Sequence, residues 1–488
     1  MCQDLPISKG LAMPSSHNRW WALLVLCLGV LMIVLDTTIV NVALPSIRTD
    51  LGFSETSLVW VVNAYMLTFG GFLLLGGRLG DLYGHRRLFL IGLAVFTLAS
   101  LACGVAGSQA VLIAARAVQG IGGAVVSAVA LSLIMNIFTE PADRARAMGV
   151  YGFVCAGGGS IGVLLGGLLT SLFSWHWIFL VNLPIGVAVA MLSLALIPGT
   201  RAGGSQRLDL AGAASVTLSL MLAVYAIVNG NEAGWGSAST LGLLACAAAL
   251  MAAFIVIESR VAAPLMPLAL FRHRNLATAN VAGVLWAAAM FAWFFMSALY
   301  MQLVLGYTPM QVGLAFLPGN LIMAAMSLGG SARIVMRFGI RGPLAAGLLV
   351  AASGLALFAQ APVGGSFIVH VLPGMVLLGL GAGIAFNPLL LAAMNDVGPQ
   401  DSGLASGVVN TAFMMGGALG LAVLASAAAA RTTALQSAGA ALPAALNGGY
   451  QLAFAAGAVS AAIAAALGLW LVREAPVPTA AAAVPGTH

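Results

Sequence analysis

Two residues stand where charge is most costly. Asp36 lies inside an apolar run at 20–44 and Arg116 inside another at 110–137, and no other Asp, Glu, Lys or Arg falls within such a run. A charge at the centre of a bilayer costs at least about 2.5–3.5 kcal/mol, so each needs a reason to be there. A carboxyl at that depth can bind and release a proton, whereas a guanidinium stays charged and can only compete for it. At 1.5 Å per helical residue, Asp36 sits roughly eight residues short of the far end of its run and Arg116 roughly seven residues in from that same face. The two therefore lie at similar depth, and pairing is the cheapest arrangement for both. Two roles stay open. In one, protonation of Asp36 frees Arg116 and shifts the balance between two states of the chain. In the other, the pair is a static structural tie.

The elements that must position this pair are membrane helices. Of the 488 residues, 61% are hydrophobic and 7% are Asp, Glu, Lys or Arg, against about 25% charged in an ordinary soluble protein. That excludes a soluble enzyme, a nucleic-acid binder and a disordered chain. A bilayer core needs roughly 20 apolar residues of helix, and about fourteen such runs follow one another. They lie near 20–44, 56–77, 88–107, 110–137, 147–171, 177–197, 211–229, 238–257, 276–303, 312–332, 343–361, 366–393, 403–429 and 450–472. Open sheets cannot span lipid, so the expected fold is an all-α integral membrane protein. The five cysteines, Cys2, Cys27, Cys103, Cys155 and Cys246, form no CxxC pair and read as inert thiols.

Nearly all of the 19 Lys and Arg residues fall in alternate loops. Lys9 and Arg19 precede span one; Arg78, Arg86 and Arg87 follow span two; Arg144 and Arg146, Arg201 and Arg207, Arg260, Arg272 and Arg274, then Arg333, Arg337, Arg341 and Arg473 follow later even spans. Only Arg48 and Arg431 fall on the other face. The positive-inside rule then puts both termini in the cytoplasm of a cell (plasma or inner) membrane. Residues 1–19 read as a cytoplasmic segment without a cleavable signal, and the Ala/Pro-rich 474–488 as a disordered tail.

The chain repeats itself. Pro141-x-Asp143-x-x-x-Ala147-x-Gly149 returns as Pro399-x-Asp401-x-x-x-Ala405-x-Gly407, and Tyr83-Gly84-His85-Arg86 echoes in Phe338-Gly339-Ile340-Arg341 at nearly the same offset. The repeat pairs spans one to six (20–200) with spans nine to fourteen (266–473) and leaves two spans at 201–265 as an insertion. Repeated halves are typical of secondary transporters, whose substrate site lies between them.

Several motifs sharpen this. Leu35-Asp36-Thr37-Thr38-Ile39-Val40-Asn41-Val42-Ala43-Leu44-Pro45 and Trp60-Val61-Val62-Asn63-Ala64-Tyr65 open the chain. Gly77-Arg78-Leu79-Gly80-Asp81-Leu82-Tyr83-Gly84-His85-Arg86-Arg87, Arg116-Ala117-Val118-Gln119-Gly120 and Asn182-Leu183-Pro184-Ile185-Gly186 follow in order. Together they resemble the fourteen-span drug:proton antiporters of the major facilitator superfamily over nearly the whole chain. The resemblance implies two six-helix bundles plus two inserted helices. It implies export of amphipathic or hydrophobic organic compounds in exchange for protons, with no cofactor beyond the proton gradient. It also implies a gate loop at Gly77, Gly80, Asp81, Gly84, Arg86 and Arg87. The bland reading of those arginines is a topology anchor, and that role would coexist with gating.

Span five carries Gly158, Gly162, Gly166 and Gly167, a flat face for close helix approach. The family's antiporter signature has Pro where this chain has Val163, so a kink is lost and facilitated diffusion stays open. Met336 replaces the second-half counterpart of Asp81, and His176 stands where the family has Arg. Arg116, Gln119, Gly120 and Gly123 share one polar, small-residue helix face, which can line a cavity or pack against a neighbour. The candidate substrate cavity comprises Asn41, Tyr65 and Gln119 in the first half, with Trp286, Trp293, Phe294, Asn320, Asn387 and Asn410 in the second. Phe413 and Met414 replace polar positions of the thirteenth-span motif, which makes the cavity more apolar. The expected partners are a small organic substrate, protons and the lipid bilayer, with no nucleic acid; a periplasmic adaptor stays an open question. A dedicated exporter of one metabolite or self-made antibiotic, without proton coupling, is the alternative. An intramembrane enzyme would need nucleophiles, bases or metal ligands at depth, and the sequence offers no such set.

Overall fold

The computed structural model describes residues 16–197, 209–261, 264–394, 397 and 402–473. The tail at 474–488, Arg201 and Arg207, the second repeat copy at Pro399 and Asp401, and the side chains of Asp81 and Cys155 lie outside the described residues.

Within them the chain folds into helices. Backbone groups in lipid have no water to bond, so each apolar run closes its own hydrogen bonds. The first half holds α1 (Ser16–Leu51), α2 (Val59–Tyr83), α3 (His85–Gly104), α4 (Gln109–Ile137), α5 (Pro141–Leu172), the single turn α6 (Trp177–Leu180) and α7 (Asn182–Leu196). A hairpin of α8 (Leu210–Ala233) and α9 (Ala238–Arg260) follows. The second half holds α10 (Arg274–Leu299), α11 (Pro309–Ala325), α12 (Ser331–Phe338), α13 (Arg341–Phe358), α14 (Leu372–Met394), α15 (Ser402–Ser437) and α16 (Leu442–Leu471).

Among the described residues, thirteen helical stretches are long and apolar enough to cross a bilayer. At the run expected near 312–332 the helix is shorter, Pro309–Ala325, and continues through a π-helical turn, Met326–Gly330, into α12, so it is not among the thirteen. Helix starts follow local chemistry. Ser108, Asp209, Ser237 and Thr308 each accept a hydrogen bond from the first turn of the helix they cap. Pro141 and Pro309 occupy first turns, where a missing N–H costs nothing.

The halves pack alike. In the first, α4 lies between α2 and α3 while α1 runs along α5; in the second, α14 lies between α11 and α13 while α10 runs along α15. The likeness reaches single atoms. A Cβ on Gly122 would meet Phe96 N at 2.6 Å and Gly92 O at 2.9 Å, and one on Gly381 would meet Ala351 N at 2.5 Å and Gly347 O at 2.6 Å. Gly120 presses on the Tyr65 carbonyl as Gly379 presses on that of Gly319.

The halves meet along two seams, α2 against α15 and α5 against α11. On the face opposite the basic loops, Gln302 Nε2 donates to Val42 O at 2.9 Å and Met310 N donates to Ser171 Oγ at 3.1 Å. Helix α8 rests on both α2 and α15, while α9 touches mainly α8 and turns most of its surface outward.

Candidate functional site

Asp36 and Arg116 meet. Arg116 Nη1 donates to Asp36 Oδ2 at 2.5 Å, with the two side chains 1% and 0% exposed. Gln119 Nε2 at 2.7 Å and Asn182 Nδ2 at 3.1 Å both donate to Asp36 Oδ1. Both carboxyl oxygens accept, so the network is that of an ionised carboxylate. Buried charges persist only when paired and hydrogen-bonded in this way.

Arg116 has partners beyond Asp36. Its Nε donates to Val61 O at 2.9 Å and its Nη1 to Gln119 Oε1 at 2.6 Å. Its guanidinium carbon lies 4.3 Å from the Tyr65 ring centroid and 5.6 Å from that of Phe179, within cation–π range. Gln119 is a bridge: its Oε1 accepts from Arg116 while its Nε2 donates to Asp36 and, at 2.8 Å, to Ser100 Oγ. Ser100 Oγ donates in turn to Phe96 O at 2.8 Å. Side chains of α1, α2, α3, α4, α6 and α7 thus converge on this one charge network.

The glycines of α5 let α1 bring Asp36 inward. A Cβ on Gly158 would meet Val34 Cγ1 at 2.9 Å, one on Gly162 would meet Leu35 O at 3.0 Å and overlap Thr38 Oγ1, and one on Gly166 would meet Ile39 O at 2.6 Å. Gly167 faces elsewhere, onto Pro309 O at 2.7 Å across the seam. Val163 is buried in an unbroken α5.

The expected gate loop is mostly helix. Gly77, Gly80 and Asp81 belong to the last turns of α2, and the turn is the single residue Gly84 at φ +89°. A Cβ on Gly80 would meet His85 Cδ2 at 3.0 Å, whereas Gly77 has open space. Arg86 Nη2 donates to Leu194 O at the C-terminal end of α7, where the helix dipole favours a cation, and Arg87 is exposed.

The cavity candidates scatter. Tyr65 and Gln119 belong to the charge network, and Asn41 donates to Thr37 O of its own helix at 3.3 Å. On α10, Val284, Ala288 and Phe291 face α15, and Ala289 faces α16. Trp286 and Trp293 point another way, buried inside the second half with their indole N–H groups unpartnered. Phe294 stacks on Phe316 at 5.4 Å, and Asn320 is buried with both amide atoms unpartnered. Asn387 and Asn410 are partly exposed, Asn410 donating to Ser406 O at 3.1 Å. A different set gathers near the α2–α15 seam. Phe413 lies 6.0 Å edge-on from Phe291 and 6.0 Å from the exposed Phe386, while Met414 and Met415 press on Gly70.

Sequence reasoning missed Ser100 and Asn182 as partners of the pair; single polar residues in apolar spans were the available signal. It also stopped span eight at 257. Helix α9 runs to Arg260, so Glu258 falls within that span, buried beside Asp209.

The Major Facilitator Superfamily model matches residues 26–421. The chain is 40% identical over 433 residues to the puromycin resistance protein pur8 of Streptomyces alboniger, covering 88% of this chain and 86% of that one. It is 42% identical to the cephamycin export protein CmcT of Amycolatopsis lactamdurans, covering 83% and 84%. It is 38% identical to the multidrug resistance protein Stp of Mycobacterium tuberculosis, covering 83% and 74%. Among solved structures, an inward-facing bacterial homolog of the human lysosomal transporter Spinster aligns with TM-score 0.66 at 17% identity over 95% of this chain and 100% of that one.

Proposed function

The chain belongs to the Major Facilitator Superfamily, and we propose that it is a secondary active exporter of amphipathic or hydrophobic organic compounds, driven by proton exchange. The observation that carries the coupling is the buried Asp36–Arg116 pair bridged by Gln119. Protonation of Asp36 removes its negative charge and leaves Arg116 with Val61 O, Gln119 Oε1 and the Tyr65 face. A guanidinium with such alternatives can change partner without being stranded, which favours a switch over a static tie. The exposed Phe386 beside Phe413 and Phe291 offers apolar, aromatic contact suited to a flat organic substrate. The basic face is the cytoplasmic one, by the positive-inside rule.

The names of two relatives favour a second reading. A protein for puromycin resistance and one for cephamycin export are each named for a single compound. A dedicated exporter of one metabolite or antibiotic would use the same aromatic contacts. Efflux from inverted vesicles, with a dye panel and an imposed pH gradient, tests both. Asp36→Asn is expected to abolish gradient-driven efflux while leaving expression intact. Full coupling in that variant would sink the proton role, and export of one compound only would select the second reading.

A further inference from the structure

Two carboxyl groups are buried against each other where the inserted hairpin joins the second half. Asp209 caps α8, its Oδ1 accepting from Gly212 N at 2.7 Å. Glu258 stands in the last turn of α9, its Oε2 accepting from Met266 N at 3.1 Å. They are 4% and 3% exposed. Their other oxygens, Asp209 Oδ2 and Glu258 Oε1, have no donor from the protein. Both point at one spot over Gly212, where a Cβ would meet Asp209 Cγ at 2.8 Å and Glu258 Oε1 at 2.9 Å. The two partnerless oxygens therefore face each other across that one spot.

Carboxylates in contact away from water cannot both be ionised cheaply; one proton between them turns repulsion into a short charge-assisted hydrogen bond. Among the described residues, the surrounding elements bring three charged groups. Arg78 of α2 donates to Pro264 O at 3.3 Å, and Arg260 and Arg272 are exposed. None forms an ion pair with either carboxyl. The pair also has a mechanical setting. Residues 264–266 lie between it and α2: Leu265 packs on Leu75 and Ala213, Arg78 holds Pro264, and Glu258 holds Met266.

We propose that Asp209 and Glu258 share one bound proton, a second proton site separate from Asp36, and that this proton clasps residues 264–266 onto α8 and the end of α2. Loss of the proton leaves two adjacent negative charges, drives Glu258 toward water and releases Met266 N. The site stands whether or not Asp36 couples transport.

Infrared difference spectroscopy of the full chain in lipid vesicles, titrated over pH, tests it. A protonated-carboxyl C=O band is expected in the wild type and in Asp36→Asn. It is expected to lose intensity in Asp36→Asn/Glu258→Gln, keeping only what other carboxyls such as Glu55 contribute, because the amide hydrogen-bonds to Asp209 without a titratable proton. Hydrogen exchange corrected for intrinsic rate supplies the mechanical readout. Protection at Met266 is expected to fall as pH rises in the wild type and to hold in Glu258→Gln. Absence of the band in Asp36→Asn, its undiminished intensity with Glu258→Gln added, or equal pH dependence at Met266 in both proteins overturns the proposal. If Glu258→Gln does not fold, the band in Asp36→Asn and its loss with Asp209→Asn added decide the matter.

Discussion

Arg116 is the residue whose removal should cost most. Without it Asp36 keeps two amide donors, Gln119 and Asn182, but no counter-charge. Breaking a buried pair by deleting one partner costs about 3–5 kcal/mol, and Arg116→Ala should fall in that range by denaturant or thermal unfolding. Asp36→Asn should cost clearly less, because Arg116 keeps a carbonyl, an amide oxygen and two aromatic faces. Equal losses in the two variants would mean that those alternative partners carry no weight, and the switch would lose its physical basis. Glu55 offers a pH-dependent contrast on the other face. It lies 3.5 Å from Arg48, yet burial raises its carboxyl above the ordinary value by more than Arg48 lowers it. A raised folded-state value contributes stability that is complete below the unfolded value and lost as pH rises through the folded one. Glu55→Gln should therefore raise the melting temperature at neutral pH and leave it unchanged in acid; a fall at neutral pH would show that the ion pair outweighs burial.

At the scale of the element, α5 decides whether Asp36 reaches its partners. Gly162 faces Leu35 and Thr38, one residue before and two after the position of Asp36. A larger side chain there must push α1 outward. Overpacking of this kind costs about 1–3 kcal/mol, and a shift of α1 lengthens every bond to Asp36. Gly162→Leu should reduce gradient-driven efflux more than it reduces stability, whereas Gly152→Leu on the same helix, which meets open space, should do neither. Comparable efflux in the two variants would remove the glycine face from the mechanism. The face was legible because glycines at every fourth position have few other uses in a membrane helix. So was the pair, because two charges at equal depth leave little choice of partner. Ser100 and Asn182 were not legible, since a helix apolar on all sides gives no periodic signal of which side faces in. Trp286 and Trp293 misled for the same reason: their shared stripe is real, but it turns into the second half. Glu258 escaped because charges near a span end are cheap and draw no attention, and only the α8–α9 packing shows that it is buried.

The whole molecule must open one end while closing the other, and the inserted hairpin lies against the seam where the halves would slide. Its ties are unequal. Asn231 Nδ2 of α8 donates to Ser426 O of α15 at 2.7 Å, and Ser426 Oγ donates back to Ile227 O at 3.1 Å. Against α2, by contrast, α8 has the close approach of Thr217 to Gly71 and a tilted Trp60–Tyr225 ring contact at 6.4 Å, packing contacts with no hydrogen bond between them among the described residues. Directional bonds fix a neighbour, whereas a small-residue contact permits sliding. The hairpin should therefore travel with the second half and shear along α2. A cysteine pair at Asn231→Cys/Ser426→Cys, oxidised to a disulfide, should leave efflux largely intact. One at Gly71→Cys/Thr217→Cys, where a Cβ on residue 71 would lie 3.0 Å from Cβ of Thr217, should stop efflux on oxidation and restore it on reduction. The reverse pattern would assign the hairpin to the first half, and arrest by both disulfides would make it a strap that yields during each cycle. In the first outcome α8 is a bearing surface for the moving seam, and the clasp at its basic end holds that bearing at residues 264–266, where the hairpin is joined to the half it follows.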